Sequence, residues 1–367
     1  MKQNKKKKVA LFTGPEGHLS ISQSAQEALE DKYDVEVFYD RDSLFALYTP
    51  IYQYLPVVHQ VPFKLSKLGP AKRFMNDLFR QKYGQKISQF IDKTKPDICI
   101  STIYMFNPTL EELSQKLNIP FVNIVSDPAT IHPLFLSETA DSNAVFDQDA
   151  QKICQELAPT GKFDITGWLV RSRFYDQITK KKARGEFDLD PDMMTLLIAA
   201  GSEGSAMVMK LIPALFNLDR PVQIIVACGS NKQLLNSVKA FSSLLQRSNS
   251  SSKLIPLGFT DQIDLYMHAA DLIVGKAGPN MLFEAVATHT PFLAITHISG
   301  QEDGNLDIIH NYNLGFVEEN PIKTIGVLKN IVSKPEVLEA MIPNIKALAK
   351  TNKLAASKLL KIVEKLT

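Results

Sequence analysis

The feature that most constrains the fold of this chain is the alternation of short β-branched apolar runs with longer segments of helical periodicity. Such alternation is typical of βαβ units, and runs that are apolar on both faces are typical of parallel strands covered by helices on both sides. The candidate strands form two sets: Val9–Phe12, Val35–Tyr39, Ile98–Ser101, Phe121–Val125 and Ala144–Phe146, then Leu196–Ala199, Gln223–Ala227, Leu254–Pro256, Leu272–Val274 and Phe292–Ile295.

Two sets of strands in 367 residues predict two doubly wound domains. We place the N-terminal domain at residues 1–166 and the C-terminal domain at 167–343. Residues 344–367 predict a basic helix that packs back on the N-terminal domain. Between the two strand sets, Lys180–Asp192 is charged, contains Gly185 and Pro191 and has no clear period, which indicates a linker or the edge of one.

Composition excludes several classes of protein. Lysine and arginine number 41 against 39 acidic residues, so the formal net charge is only +2, which argues against a nucleic-acid-coating surface or a disordered polyelectrolyte. The three cysteines form no CxxC pair, so neither a disulfide framework nor a zinc site is indicated and a reducing compartment fits best. No apolar run approaches the roughly 18 residues that a membrane-spanning helix requires.

One segment, Leu44 to Lys95, is too long for a single crossover between strands. It begins with an apolar and aromatic run, and from Lys64 to Lys86 it is basic and aromatic, with Asp77 as its one acid. Such a segment can lie in a membrane interface, where anionic lipid attracts its cations. It can equally form an extra pair of helices with a solvated basic face, and the sequence alone leaves both interpretations open.

The richest stretch for binding chemistry is Gly258 to Asn305. A candidate strand there ends in Gly275-Lys276-Ala277-Gly278-Pro279-Asn280, where a helix should begin. Small residues at a strand-to-helix turn let backbone N–H groups and the helix dipole face an anion such as a diphosphate. Glu284, in the second turn of that helix, can accept hydrogen bonds from ribose hydroxyls, and Ser299–Asn305 places polar side chains at the end of the next strand.

These motifs together resemble a known family. Lys276-Ala277-Gly278-Pro279 with Glu284-Ala285, followed by Gly300-Gln301-Glu302-x-Gly304-Asn305, closely resembles the donor-binding half of the monogalactosyl- and glucosyl-diacylglycerol synthases, relatives of the peptidoglycan GlcNAc transferase. The resemblance implies an α/β protein of the GT-B fold, with two facing Rossmann-like doubly wound domains and an interdomain cleft. Further stretches that resemble family motifs are Val125–Pro133, Gly167–Phe174, Ala200–Gly204 and Val226–Lys232.

The resemblance also implies where a UDP-sugar donor is held. The backbone near Gly258 and Phe259 would read the uracil, Glu284 the ribose, and two loops the diphosphate, while Gln301 and Glu302 would contact the sugar. Asn280 stands where the family commonly has glycine. The full donor-binding set is Gly201, Ser202, Gly204, Gly258, Phe259, Gly278, Pro279, Asn280, Glu284, Gln301 and Glu302.

For the catalytic group, the resemblance points to His18 at the end of the loop after the first strand. An imidazole there would take the proton of an acceptor hydroxyl as it attacks the anomeric carbon, and this direct displacement inverts the configuration. Pro15 and Glu16 replace family glycines in the same loop. Asp127 is a second candidate, as a base, as a group that orients His18 or the acceptor, or as a helix N-cap. We expect no cofactor and no metal, because Asp188-Leu189-Asp190 lies in the polar stretch between the strand sets.

The function implied is an inverting hexosyltransferase that moves a hexose from a UDP-sugar to a lipid, with diacylglycerol as the favoured acceptor. It would work peripherally on the inner, cytoplasmic face of the membrane, on anionic lipid, without nucleic acid. Two alternatives stay open: a transferase of the same fold acting on a lipid-linked cell-wall intermediate, and a non-catalytic nucleotide-sugar or lipid-binding protein. A nucleotide-sugar epimerase shares the fold but has no need of the amphipathic segment.

Overall fold

The computed structural model describes residues 6–41, 69–199, 205–213, 218–248 and 250–367. The chain divides into two compact units. The first consists of Met1–Ser172, Ser299–Gln301 and Thr351–Thr367, and the second of Arg173–Ile298 and Glu302–Lys350.

The first unit is a parallel sheet of six strands in the order β2-β1-β3-β4-β5-β6. Residues 9–12 of β1 are fully buried, because helices cover both faces of the sheet's centre. Short 3₁₀ turns lie at Tyr104–Phe106 and Pro133–Phe135. Its elements are β1 (Lys8–Thr13), α1 (Gly17–Leu29), β2 (Asp34–Tyr39), α2 (Gly69–Thr94), β3 (Ile98–Ser101), α3 (Asn107–Leu117), β4 (Phe121–Ile124), β5 (Ser142–Val145), α4 (Gln148–Leu157) and β6 (Phe163–Ile165).

The second unit is also a six-stranded parallel sheet, in the order β12-β11-β10-β7-β8-β9. A 3₁₀ turn at Ser172–Tyr175 precedes it. Its elements are α5 (Lys180–Gly185), β7 (Met194–Ala199), α6 (Ser205–Leu211), β8 (Val222–Ala227), α7 (Lys232–Arg247), β9 (Lys253–Leu257), α8 (Ile263–Ala269), β10 (Leu272–Lys276), α9 (Pro279–Ala287), β11 (Phe292–Thr296), α10 (Asp303–Asn311), β12 (Gly315–Val317), α11 (Pro321–Ser333), α12 (Glu336–Glu339) and α13 (Ile342–Asn352), and the chain ends with α14 (Ala355–Leu366).

The strand orders fix where each sheet can bind a ligand. In the first sheet β2 and β3 lie on opposite sides of β1, and in the second β8 and β10 lie on opposite sides of β7. At such a reversal the following loops run apart and leave a crevice at the carboxyl ends of the strands. The crevices therefore form after β1 and β3 in one unit, and after β7 and β10 in the other.

All ten strands expected from the sequence are present, and two others were missed. The missed strands, β6 and β12, are three residues long and lie at sheet edges. An edge strand need not be apolar on both faces, so Phe163-Asp164-Ile165 and Gly315-Phe316-Val317 carry too little pattern to be recognised.

Helix α2 shows how part of the long segment Leu44–Lys95 is folded. Phe79, Tyr83, Ile87 and Ile91 recur every four residues and are buried in the core of the first unit. Residues 69–94 therefore form one helix that is packed on the domain by its apolar face, and the interfacial interpretation is left to the exposed face of this helix. The apolar run and the cations Lys64 and Lys67 lie outside the described residues. Among the helices that the structure describes, none has the length and apolarity to cross a membrane.

The linker interpretation of Lys180–Asp192 is wrong. Arg184 of α5 is only 5% exposed, and its guanidinium donates to the carbonyls of Ala269 and Pro191 and to Asp271 Oδ2 at 2.6 Å. Lys180 Nζ lies 2.7 Å from Asp271 Oδ1. A polar stretch without a period can still fold tightly when its arginine satisfies several buried acceptors at once.

The last helix belongs to the first unit although it follows the second along the chain. Ala355, Leu359 and Val363 of α14 are buried, and α14 packs against α1. Trp168 N donates to Asn352 Oδ1 at 2.6 Å, and this bond holds the segment that precedes α14 against the first unit.

Candidate functional site

His18 lies in the first turn of α1, at the crevice between β1 and β3. Its Nδ1 is 2.6 Å from the carbonyl oxygen of Thr102, the residue after β3. Because a carbonyl only accepts, Nδ1 carries the proton, and in the neutral ring the lone pair is on Nε2. The two strands beside the reversal therefore hold one imidazole in a defined tautomer.

Burial of the ring lowers the pKa of His18 from 6.5 to about 4, although the hydrogen bond to Thr102 raises it. The imidazole is therefore neutral at physiological pH, which is the state a general base requires. A pKa this far below neutrality reduces the driving force for taking a proton, so a base at this position would act more through its placement than through its basicity.

The loop before His18 has a strained backbone. Glu16 adopts φ 57° and ψ −122°, a conformation that suits glycine, at one of the positions where the family has glycine. The Glu16 carbonyl accepts from Leu19 N and Ser20 N, and so starts α1. The side chain is exposed. The chain thus keeps the glycine-type turn without the glycine.

Asp127 follows β4 and is 6% exposed. Its Oδ1 accepts from Thr130 N at 3.0 Å and from Ala129 N at 3.4 Å, so it caps the turn of its own loop. His132 is 1% exposed, and its Nδ1 accepts from Leu134 N at 3.1 Å. Both side chains therefore hold turns in the segment between β4 and β5, whatever Asp127 does in catalysis.

In the second unit, the loop from β10 to α9 has the form of an anion site. Gly275 pairs with Ala199 where β10 meets β7, and a Cβ there would lie 2.6 Å from the Ala199 carbonyl oxygen. Gly278 is the N-cap of α9, with Pro279 at the first helical position. The positive end of the α9 dipole therefore lies at the carboxyl end of β10, beside the crevice between β7 and β10, where it favours an anion.

Glu302, which is predicted to contact the sugar, also holds this loop in place. Its carboxylate forms an ion pair with Lys276, and its Oε2 accepts from Ile298 N at 2.7 Å. Asn305 Nδ2 donates to the carbonyl oxygen of Ala277 at 2.8 Å. Glu302 is 5% exposed. Two of these contacts, Glu302 with Lys276 and Asn305 with Ala277, join the loops after β10 and β11, and the Lys276 ammonium is held beside Gly278.

The remaining donor residues are placed as follows. Phe259, two residues after β9, is 82% exposed. Asn280 and Glu284 lie half-buried on α9, Gly258 precedes Phe259, and Gln301 is half-buried. Gly201, Ser202 and Gly204 lie outside the described residues.

Two residues of this site are not among the site residues predicted from the sequence. Lys276 ends a buried strand beside a glycine-rich turn, and a lysine in that position indicates an anion site. His297 follows β11, with Nδ1 2.7 Å from Glu319 Oε1 and Nε2 3.0 Å from Asp303 Oδ1. The Glu319 hydrogen bond is the largest cause that raises the pKa of His297. No sequence pattern indicated that contact, because Glu319 lies beyond α10 and β12.

The described ranges contain no group of three or more histidine, cysteine or acidic side chains placed to hold a metal ion. Asp190 of the Asp188-Leu189-Asp190 string accepts instead from Asp192 N at 3.0 Å and Met193 N at 3.2 Å. Leu189 between the two acids is buried. All three cysteines are buried free thiols, and burial raises the pKa of Cys99 to about 12.

Comparison with known proteins agrees with this architecture. The chain is 27% identical over 284 residues to the processive diacylglycerol beta-glucosyltransferase of Bacillus licheniformis, covering 77% of this chain and 72% of that protein. The crystal structure of Acinetobacter baumannii MurG superimposes with a TM-score of 0.63 at 16% identity, covering 98% of this chain and 99% of that one. The structure of Anabaena Alr3699/HepE in complex with UDP gives a TM-score of 0.62 at 15% identity, again covering 98% and 99%.

Two family descriptions match consecutive parts of the sequence. Residues 18–167 match the monogalactosyldiacylglycerol (MGDG) synthase family, and residues 195–358 match the glycosyltransferase family 28 C-terminal domain. The first match begins at His18 and includes Thr102, and the second includes the loops around Lys276 and Glu302. The chain is thus an enzyme of the GT-B fold that is similar, in consecutive parts of its sequence, to the monogalactosyldiacylglycerol synthases and to the C-terminal domain of the family 28 glycosyltransferases.

Proposed function

We propose that this enzyme transfers a hexose from a UDP-sugar to diacylglycerol at a membrane surface, with inversion at the anomeric carbon. The observation that carries the proposal is the hydrogen bond from His18 Nδ1 to Thr102 O, which leaves Nε2 as the basic atom of a neutral imidazole. A base of this kind removes the proton of an acceptor hydroxyl as that oxygen attacks. Direct attack needs one base and no covalent intermediate.

The donor half is supported by the turn from β10 to α9. The N-terminal end of α9 and the Lys276 ammonium suit a diphosphate leaving group, whose charge grows as the sugar departs. The related structure from Anabaena holds UDP, which favours a uridine diphosphate donor here. The half-buried Glu284 on α9 suits the ribose hydroxyls.

The acceptor half is supported by the relatives and by α2. The Bacillus licheniformis relative is named for diacylglycerol. On α2, Phe74 is 68% exposed and Leu78, one turn later, is 37% exposed, with Arg73 exposed beside them. Exposed apolar side chains flanked by a cation suit an anionic membrane surface. The buried free cysteines fit the reducing, inner side of that membrane.

The deciding experiment measures UDP release from a UDP-hexose by the purified protein, with and without vesicles containing diacylglycerol. We expect release only with the lipid and a glycolipid product of opposite anomeric configuration. His18→Ala should lower the rate by about 10²–10⁴-fold, whereas His310→Ala, on the exposed side of α10, should leave it unchanged. Turnover without lipid would indicate an epimerase or a soluble acceptor. Saturable UDP binding with no turnover on any lipid would indicate a non-catalytic binding protein.

Membrane contact is tested separately by sedimentation with anionic vesicles. The double variant Phe74→Ser/Leu78→Ser should bind less than the wild-type protein. Leu244→Ser is the matched control, because Leu244 is 56% exposed on α7 of the other unit. Equal binding by all three proteins would show that the exposed face of α2 does not contact the membrane.

A further inference from the structure

The segment that joins β11 to α10 is a loop whose two ends are held together. Glu302 N donates to the carbonyl oxygen of Ile298 at 2.8 Å, and Ile298 N donates to Glu302 Oε2 at 2.7 Å. Residues 299–301 lie between these two in the chain, and Gly300 has φ 86°, where a residue with a side chain would be strained. The loop that carries Gln301 is therefore closed at its base by a pair of hydrogen bonds.

His297 adds a second pair of residues to this base. It directly precedes Ile298, and its Nε2 lies 3.0 Å from Oδ1 of Asp303. Asp303 directly follows Glu302 and is the first residue of α10. Two neighbouring pairs of residues, Ile298 with Glu302 and His297 with Asp303, therefore close the loop.

The other nitrogen of the His297 ring is linked to the sheet. His297 Nδ1 lies 2.7 Å from Glu319 Oε1. The residue before Glu319 is held by two bonds: Glu318 N donates to the carbonyl oxygen of Ala294 on β11 at 2.9 Å, and the Glu318 carbonyl accepts from Thr324 Oγ1 at 2.8 Å. The imidazole therefore joins the start of α10 to a backbone position that is fixed at the end of β12.

The two contacts together assign a protonation state to the ring. An ionised carboxylate only accepts, so both ring nitrogens must donate, and only the imidazolium carries two N–H groups. In the neutral ring, one nitrogen presents its lone pair to a carboxylate and that contact is lost. The His297 side chain is 15% exposed, so few water molecules can replace the lost partner.

The charged groups around the ring favour the same state. The hydrogen bond to Glu319 is the largest cause that raises the pKa of His297, and Asp303 raises it further, while burial lowers it. Lys276, the cation on the neighbouring strand β10, forms an ion pair with Glu302. The two carboxylates that face the ring therefore come from two different elements, the start of α10 and the segment after β12.

We propose that His297 is a positioning residue for the donor sugar: as an imidazolium held between Asp303 and Glu319, it keeps the loop with Gln301 and Glu302 in its sugar-binding conformation. This inference rests on the function proposed above, in which the donor is a UDP-hexose. Loss of the proton would open one of the two pairs that close the loop. The hexose would then be bound less tightly, while the uridine diphosphate part of the donor would be affected less.

The test measures binding of UDP, UDP-glucose and UDP-galactose to the full-length protein by calorimetry from pH 6 to pH 9. The hexose contribution is the dissociation constant of UDP divided by that of the UDP-hexose that binds more tightly. At pH 6 this contribution should be about fivefold larger in the wild-type protein than in His297→Gln. The difference should shrink to within about twofold at pH 9, above the ordinary 6.5 of histidine. The titration of UDP itself cancels, because both proteins are measured with the same ligands.

Further variants separate positioning from general stabilisation. His297→Arg keeps several donors and a positive charge at every pH, so it should retain the hexose contribution at pH 9. Glu319→Gln removes a carboxylate that holds the proton, so the pH at which the contribution falls should move lower. His310→Gln is the matched control, because His310 is exposed on α10, and it should follow the wild-type protein. Circular dichroism at each pH checks that every variant is folded.

Equal hexose contributions in the wild-type protein and His297→Gln at pH 6, or a fall with pH that Glu319→Gln does not move, would overturn the proposal. If the wild-type protein binds UDP-hexose but glycosylates no lipid, the transferase function fails while the binding test still decides the role of His297. If it binds neither UDP nor UDP-hexose, the donor assignment fails and this inference fails with it.

Discussion

At the scale of single residues, this chain departs from its family in the turn after β1. A non-glycine residue at φ 57° and ψ −122° costs about 1–3 kcal/mol. The strained residue, Glu16, directly precedes the first residue of α1 and lies two residues before His18. Local strain near a functional group persists only where surrounding structure imposes it, and here the buried β1 and the helix start do so.

The change Glu16→Gly should therefore stabilise the protein by about 1 kcal/mol after the entropy cost of glycine is subtracted. The expected rise in the melting temperature is about 2–4 °C by calorimetry. The matched control is Glu30→Gly at the end of α1, where φ is −63°. That change should destabilise the protein by about 0.5–1 kcal/mol. Equal losses in the two variants would show that Glu16 is not strained.

The second prediction at this scale concerns the protonation of His18. Its imidazole should titrate near pH 4, well below the ordinary 6.5, in an NMR titration where His18→Gln assigns the signal. The unfolded chain binds the proton at higher pH than the folded chain, so this histidine's contribution to stability is lost as pH falls from 6.5 toward 4. Lowering the pH from 7 to 5 should therefore reduce the unfolding free energy of the wild-type protein more than that of His18→Gln. A midpoint near 6.5 would contradict the prediction.

At the scale of elements, His297 joins three of them. It follows β11, Asp303 begins α10, and Glu319 follows β12. Both ring nitrogens can donate only when the imidazole is protonated. Glu302, bound to Lys276 on β10, and Asp303 lie at the start of the same helix. The charge on His297 therefore helps to set the position of the loop that carries Gln301 and Glu302.

Because the pKa of His297 is raised above 6.5, its contribution to stability is fully present below that value and is lost as pH rises through the raised pKa. His297→Gln should therefore be destabilised by roughly 1 kcal/mol at pH 6 and by less at pH 9, measured by denaturant unfolding. His310→Gln on α10 serves as the control and should show no such change. If the difference in unfolding free energy between this variant and the wild-type protein is the same at both pH values, the charge of His297 does not stabilise its contacts with Asp303 and Glu319.

At the scale of the whole molecule, the chain leaves the first unit after Ser172 and, apart from Ser299–Gln301, returns to it only at Thr351. Helix α14 then packs on α1, and Lys32 Nζ lies 2.6 Å from Glu364 Oε1 across 332 positions of sequence. The first unit is therefore complete only when the last residues have been made. A contact this distant along the chain must overcome a large loop-closure entropy, which buried leucine and valine side chains offset.

Leu359 is fully buried against this unit, so Leu359→Ala should cost about 2–5 kcal/mol. Hydrogen exchange should show the loss of protection in α1 and β1, which lie at the opposite end of the sequence. Leu354, at the start of α14, is 52% exposed, and Leu354→Ala should stay within about 0.5 kcal/mol. Unchanged protection of α1 in the Leu359 variant would show that α14 is dispensable to the first unit.

The sequence by itself determined the two parallel sheets, ten of their twelve strands and the positions of His18 and of the turn at Gly278. These follow from local information, because buried central strands are apolar on both faces and a helix begins where a glycine-rich turn ends. Only the tertiary structure decided the rest. It placed Thr102 against His18, Lys276 against Glu302, Glu319 against His297 and three asparagines in one buried network. Each of these joins residues from different βα units, and no local periodicity records which polar side chains meet when parallel strands come side by side.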